Sequence, residues 1–435
     1  MEWATAMSAP RKLLDDCFLH DGKRLLHAEA LAILKSRVRP LVGVERLTLA
    51  QSVGRIVGET VTAGHPVPAH TNAAVDGYAF GSRHYDRTQT TVLPVTGRAA
   101  AGHPLVRQPE EATAARILTG AVMPDGTDTV VMQEDVTLTG PEGAQRVSIP
   151  AGLKVGANVR RAGEDVGVGE TLFRPGHVIR PQDLAALASV GRHDLDCFAR
   201  LSVAILSSGD EVVRAGSGPL APGHVYDANA PMLAALIQTA GAACHDLGIH
   251  RDNPDVIRSA LATAAARHHV VITSGGASRG DEDHMVSALD ALGKCHLWQL
   301  AIKPGRPMGF GQIGDCVVVC LPGNPVAVFV CFLMYVWPLL RQLGGGDWPE
   351  PRRYRLPAAF SFKGRKAGRR EFWRGMLVER DGALAVAKFE RDGSGLISGL
   401  RAADGLIDIP EDAGDVLDGD AVAFIPFTEF GIAGR

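Results

Sequence analysis

A strand with one face in water alternates apolar and polar residues, whereas a strand apolar at nearly every position must be covered on both faces. Residues 270–273 (Val-Val-Ile-Thr) and 317–321 (Val-Val-Val-Cys-Leu) are of the second kind, and a third run, 203–206, precedes them. Helical spacing lies between these runs. Asn229 is placed to cap a helix with Leu233, Leu236, Ile237 and Ala240 on one face. Residues 244–249 read as a weaker strand. Asn253 and Pro254 supply a cap and a first helical position for a stripe of Val256, Ile257, Ala260, Leu261 and Ala264. A β-α-β-α order of this kind implies a doubly wound parallel sheet with right-handed crossovers, assigned to residues 201–345.

The chain has 435 residues, too many for one ordinary core. Residues 25–38 have helical spacing, and so do residues 181–190. Between them, short apolar runs at 92–95, 117–118, 130–132 and 147–149 alternate with Gly, Pro and Asp clusters, the texture of a small β-domain. The expected organisation is a mixed α/β N-terminal domain (1–65 and 159–200) interrupted by an inserted β-domain (66–158). The doubly wound domain follows, then a C-terminal β-domain (346–435) beyond Gly344–Gly346. The fold class is therefore multidomain α/β plus β.

A net charge of -3 disfavours a protein that grips nucleic acid. Seven cysteines without a close CxxC pair argue against a disulfide framework or a zinc site, and Cys316 and Cys320 read as buried strand residues. The apolar run 326–340 is short of the roughly 20 residues that span a bilayer and contains Pro338, so a buried helix is expected. Asp15, Asp16 and His20 break up the N-terminal apolar residues, which disfavours a signal peptide and leaves a cytoplasmic, membrane-free protein as the expectation.

Ligands of open parallel sheets sit beyond the carboxyl ends of the strands. There the chain places Ser274, Gly275, Gly276, Ser278 and Gly280, a loop able to turn backbone N–H groups and hydroxyls toward phosphate oxygens. Acidic residues nearby (Asp210, Glu211, Asp252, Asp281 and Asp283) suit Mg²⁺, which takes a few carboxylates and shares phosphate oxygens with its substrate. Lys303-Pro304-Gly305-Arg306-Pro307 presents two cations on a stiff turn. One unit-charge contact at 4 Å is worth about 4 kcal/mol at an effective dielectric near 20, before desolvation. Alone, that motif is equally well read as a basic surface turn. Pro322-Gly323-Asn324-Pro325 is equally an ordinary helix entry, and Asn72–Ala79 a turn entering a strand.

Taken together, NAAVDGYAF, LTGAVMPDGTDTVVMQED, VRRAGEDV, SSGDEV, ITSGGASRGDED, AIKPGRP, LPGNP, RREFWR and DGSGLISGLRAADG resemble the MoeA-type molybdopterin molybdenumtransferases, relatives of the C-terminal domain of gephyrin-like proteins. The resemblance implies insertion of molybdate into adenylylated molybdopterin, with Mg²⁺ assistance and release of AMP. It implies roles for Asp76, Thr119, Glu211 and Lys303 in catalysis and for Asp210, Asp252 and Asp283 at the metal. Substrate would be held by the Ser274–Gly280 loop, Pro322 and Asn324, with Arg306, Pro307, Arg370 and Ser394 around molybdate. It also implies a homodimer whose active site lies between subunits, bringing Asp76 toward Asp283, and transient contact with other cofactor-assembly proteins. Gln299 stands where many members have lysine, and Arg306 replaces a frequent lysine. The rival readings are an adenylyltransferase acting on molybdopterin and a gephyrin-like scaffold.

Overall fold

The computed structural model describes residues 24–105, 112–275 and 284–434. Its central six-stranded sheet runs Ala243–His250, Ser202–Ser208, Val270–Ser274, Cys316–Leu321, Pro307–Ile313 and Lys294–Gln299. The first four strands are parallel, and the last two pairings are antiparallel because Pro307–Ile313 runs against all the others. The four parallel strands are the ones read from the sequence, and the other two extend the sheet with a β-hairpin and an antiparallel neighbour. Only Gly314 and Asp315 separate Ile313 from Cys316, and a two-residue link can join antiparallel strands but not parallel ones.

The unbroken apolar runs are explained by two separate cores. Val203, Ile205, Val270, Ile272, Val317 and Val319 face one core with helix Asn229–Thr239 and the long helix that starts at Pro325. Ala204, Leu206, Val271, Val318 and Cys320 face the other, with helices Pro254–Ala265 and His284–Leu292. Two details differ from the sequence reading. Val256 is 42% exposed rather than part of the buried stripe. Asn229 is the first helical residue, and Asp227 does the capping, its Oδ1 accepting from the N–H of Asn229 (3.1 Å) and Ala230 (2.9 Å).

Pro325–Leu343 is one helix, long and apolar enough to cross a membrane by length and composition, yet 89% buried within the chain's own structure. Its middle, Phe332–Val336, is a π-helical turn directly before Trp337 and Pro338. Proline lacks an N–H and crowds the carbonyl four residues back, here Met334, so a widened turn relieves both problems. Helix His27–Arg37 packs beside it, with His27 Nδ1 2.8 Å from the Tyr335 hydroxyl.

In the C-terminal β-structure, Ile302–Lys303, Arg370–Arg380, Gly405–Ile409, Ala421–Pro426 and Tyr354–Pro357 pair in that order, and Ala383–Lys388 adds to Arg370–Arg380. A bridge between Ala358 and Val386 curls the sheet back on itself around Trp373, Val386, Ile407 and Phe424. Ile302–Lys303 comes from the α/β segment of the chain but pairs with Arg370 and Glu371. This splice fastens the Lys303–Pro307 turn to the β-structure. Nearer the N-terminus, a six-stranded sheet (Thr129–Met132, Gly77–Phe80, Ala114–Ile117, Thr91–Ala99, Arg146–Ile149, Thr137–Thr139) lies between the two halves of the mixed α/β region, which join through Val44–Thr48 and Asp194–Phe198.

Candidate active site

Four chain segments meet at a cleft of about 530 Å³, and each is put there by an element already described. At the floor, Gly275 ends the Val270–Ser274 strand with φ +93, and its N–H donates to the Leu321 carbonyl (3.1 Å). Pro322, Gly323 and Asn324 follow the neighbouring strand, and an added Cβ on Gly323 would stand 4.0 Å from Gly275 Cα, so the two strand-end loops touch. Asn229 Nδ2 donates to the Gly323 carbonyl (2.8 Å), tying this turn to the Asn229–Thr239 helix. Ser274 is the last strand residue and is buried beneath Gly275. Gly276, Ser278, Gly280 and Asp283, all expected in the phosphate loop or at the metal, lie outside the described residues.

One wall is the Lys303–Pro307 turn. Lys303, Pro304, Gly305 and Pro307 line the cleft, whereas the Arg306 side chain is exposed beside it. Gly305 has φ +100, and a Cβ there would strike Cys331 Sγ on the long helix, so only glycine lets the turn lie this close. Lys303 Nζ is 3.9 Å from Glu371, whose buried carboxylate also accepts from Arg369 Nε (3.0 Å) and Trp373 Nε1 (2.9 Å).

The opposite wall is the β-structure: Phe372, Trp373, Arg374, Lys388, Phe389, Asp392 and Ser394. Here the structure separates two arginines that sequence reading did not. Arg370, expected beside the oxyanion, gives Nε and Nη2 to Asp408 (2.6 and 2.9 Å) and Nη1 to Glu411 (3.2 Å). Arg374, two pleats along the same strand, lines the cleft. It donates Nη1 to the Gly393 carbonyl (2.9 Å) and Nη2 to that of Arg391, and stacks over Phe389 at 5.4 Å. Burial lowers its affinity for a proton from the ordinary arginine value, as for any desolvated cation. Ser394 follows the loop Arg374 holds, and its carbonyl accepts from Val326 N–H (3.1 Å) at the start of the long helix. Arg374, Lys388, Asp392 and the aromatic residues were missed as site residues. Arg374 sits in the RREFWR motif, and its period-2 relation to Arg370 gave no way to tell which would be consumed by internal acids.

The remaining expected residues form two groups away from the cleft lining. Asp76 Oδ1 accepts from both the N–H and the hydroxyl of Thr119 (2.7 Å each) beside the paired strands Gly77–Phe80 and Ala114–Ile117, which holds its carboxyl below the usual range. Asp252 N–H donates to Asp210 Oδ1 (3.2 Å). Burial raises the Asp252 carboxyl above its ordinary value, and the charges of Glu211 and Asp210 raise it further. Such mutual repulsion is what a divalent cation relieves. Among the described residues no three His, Cys, Asp or Glu side chains converge as a metal centre. Mg²⁺ needs only one or two carboxylates when phosphate oxygens complete its shell, so Asp210 and Asp252 fit that coordination style.

Comparison with known proteins covers nearly the whole chain. Residues 26–191 match the MoeA N-terminal region (domain I and II), 204–342 a probable molybdopterin binding domain, and 355–427 the MoeA C-terminal region (domain IV). A molybdopterin molybdenumtransferase of Haemophilus influenzae is 35% identical over 385 residues, 88% of this chain and 94% of that protein. Molybdopterin molybdenumtransferase 2 of Mycobacterium tuberculosis is 32% identical over 405 residues, 90% of this chain and 96% of that protein. The crystal structure of a molybdopterin biosynthesis MoeA protein from Pyrococcus horikoshii OT3 superposes with a TM-score of 0.78 at 26% identity, over 93% of this chain and 100% of that one.

Proposed function

The chain belongs to the MoeA family of molybdopterin molybdenumtransferases and is an enzyme of molybdenum cofactor biosynthesis; from that premise we propose that it inserts molybdate into adenylylated molybdopterin and releases AMP, in the cleft between the strand-end loops and the C-terminal β-structure. The observation that carries this reading is the convergence of Gly275, the Pro322–Asn324 turn, Lys303, Arg374 and Ser394 on one space of about 530 Å³. Glycine backbones on the floor suit pterin and phosphate groups that must come close to main-chain N–H donors. Cations on the walls suit a tetrahedral dianion, and aromatic rings beside them keep water away and strengthen each contact.

In this reading Lys303 and Arg374 hold the oxyanion, and the Ser394 hydroxyl supplies a rotatable donor. Arg374 takes the place that sequence reading gave to Arg370, because Arg374 lines the cleft with its charge facing neutral carbonyls, whereas the charge of Arg370 is matched by Asp408 and Glu411. Asp210 and Asp252 would hold magnesium, which when bound neutralises phosphate charge as AMP departs. The Asp76–Thr119 pair lies outside the cleft lining, and we infer that it enters the site of a second copy in a cytoplasmic homodimer. A carboxylate already held ionised by two donors is a weak base but is ready to act as a metal or hydrogen-bond partner without further rearrangement.

Incubating the protein with adenylylated molybdopterin, Mg²⁺ and molybdate, then adding a cofactor-free molybdoenzyme, tests the product. Reconstituted activity is expected only when all three are present. Reconstitution without molybdate, or none under any condition with folded protein, overturns the proposal.

A further inference from the structure

The cleft lining contains three cations, Lys303, Arg374 and Lys388, and one carboxylate, Asp392. A negative charge is out of place where a dianion is to bind. Asp392 is directly paired with Lys388 four residues earlier, and the Lys388 ammonium also donates to the Phe389 carbonyl (3.2 Å). Its side chain is only 8% exposed, and its ammonium lies 5.2 Å from the Phe362 ring centroid and 5.6 Å from that of Trp373. The lysine is therefore fixed by two aromatic faces, a carbonyl and a carboxylate, while Asp392 remains 46% exposed toward the cleft. Lys388 and Arg374 together tie down the loop from Phe389 to Gly393 that leads into Ser394.

We propose that Lys388 is a positioning and specificity-determining residue of the oxyanion subsite. It neutralises Asp392, so that the cleft presents a net charge of about +2 to a tetrahedral dianion, and it shares with Arg374 the holding of the loop that carries Ser394, so that Arg374 still holds that loop when Lys388 is replaced. The proposal rests on the assignment of this cleft to oxyanion binding. It makes Asp392 the liability and Lys388 its compensation, a pairing that behaves differently from an ordinary stabilising contact. Removing the lysine alone exposes an uncompensated carboxylate to the incoming dianion. Removing both charges leaves the cleft with Lys303 and Arg374 and again a net positive charge of about two.

The test compares Lys388→Met, Asp392→Asn, the double variant and Lys388→Arg. Two readouts are used: molybdate binding by calorimetry with no nucleotide present, and the molybdate dependence of AMP release. Lys388→Met is expected to weaken molybdate binding and raise KM for molybdate about tenfold, with a smaller effect on kcat. The double variant and Lys388→Arg should return both to within about threefold of the starting protein. A double variant as impaired as Lys388→Met, with an unchanged melting temperature, overturns the compensation argument, as does a Lys388→Met variant with unaltered molybdate affinity. If the unmodified protein binds molybdate but releases no AMP, the reaction assignment fails while the charge argument is still decided by the binding series.

Discussion

Arg370 and Arg374 show where residue-scale reading from sequence succeeds and where it stops. Both lie in one motif, both are cations, and both share a strand face; only the position of Asp408, 38 residues beyond Arg370, separates a structural arginine from one at the cleft. Arg370→Met leaves the buried Asp408 with Arg353 alone (2.8 Å), so it should cost about 3 kcal/mol of stability in urea unfolding, because half-paired buried charges are expensive. Arg374→Met should instead raise KM for molybdate by about tenfold or more with a smaller stability loss. The reverse pattern would restore the arginine order inferred from sequence. His27 gives a pH signature. Burial, with Arg370 nearby, lowers its pKa from 6.5 to about 4, so the unfolded chain takes up the proton first as pH falls. Its contribution is intact above pH 6.5, declines between 6.5 and 4, and is lost below about 4, on the order of 3 kcal/mol in full. Unfolding free energies at pH 7, 5.5 and 4 should show this slope in the parent and a shallower one in His27→Gln; identical slopes would remove His27 as the cause.

Elements were more legible than residues, because periodicity and capping act locally. The Val270–Ser274 and Cys316–Leu321 strands and the Pro254–Ala265 helix, capped by Asn253 Oδ1 on the N–H of Asp255 and Val256, follow from patterns a few residues long. The last two strands of the sheet, joined to it by antiparallel pairings, were not anticipated, since Pro307–Ile313 is glycine-rich and carries no clear alternation. Nor could sequence show that Ile302–Lys303 would leave its own domain to pair with Arg370 and Glu371, a contact set by tertiary packing alone. The Lys303–Pro307 turn is also seated on the long helix, through the close approach of Gly305 to Cys331. Gly305→Ala should push Cys331 away, cost about 1–3 kcal/mol through overpacking and the positive φ, and weaken molybdate binding without removing any charged or hydroxyl group of the cleft. Calorimetric affinity equal to that of the parent would show that the turn's seat on the helix is immaterial to the site.

At the scale of the whole molecule, the convergence of loops was anticipated from the tendency of open parallel sheets to bind ligands at their strand ends and from the family resemblance, but the aromatic and Lys388 wall was not. The β-structure that supplies this wall folds around Trp373 and Phe424, and sequence gives no sign of which of its edges meets the α/β domain. The Asp76–Thr119 pair, outside the cleft lining, leads to a prediction about assembly. Asp76→Ala and Lys303→Ala proteins, each inactive alone, should regain about a quarter of parental activity when unfolded and refolded together, since half of the dimers then contain one intact site. Activity no greater than either variant alone would place Asp76 and Lys303 in the same subunit's site. The most direct test of the central assignment is AMP release from adenylylated molybdopterin in a single turnover with Mg²⁺, with and without molybdate. The account predicts release that follows molybdate concentration and disappears in Lys303→Ala. Release that ignores molybdate, or ATP consumption with molybdopterin in its place, would contradict it.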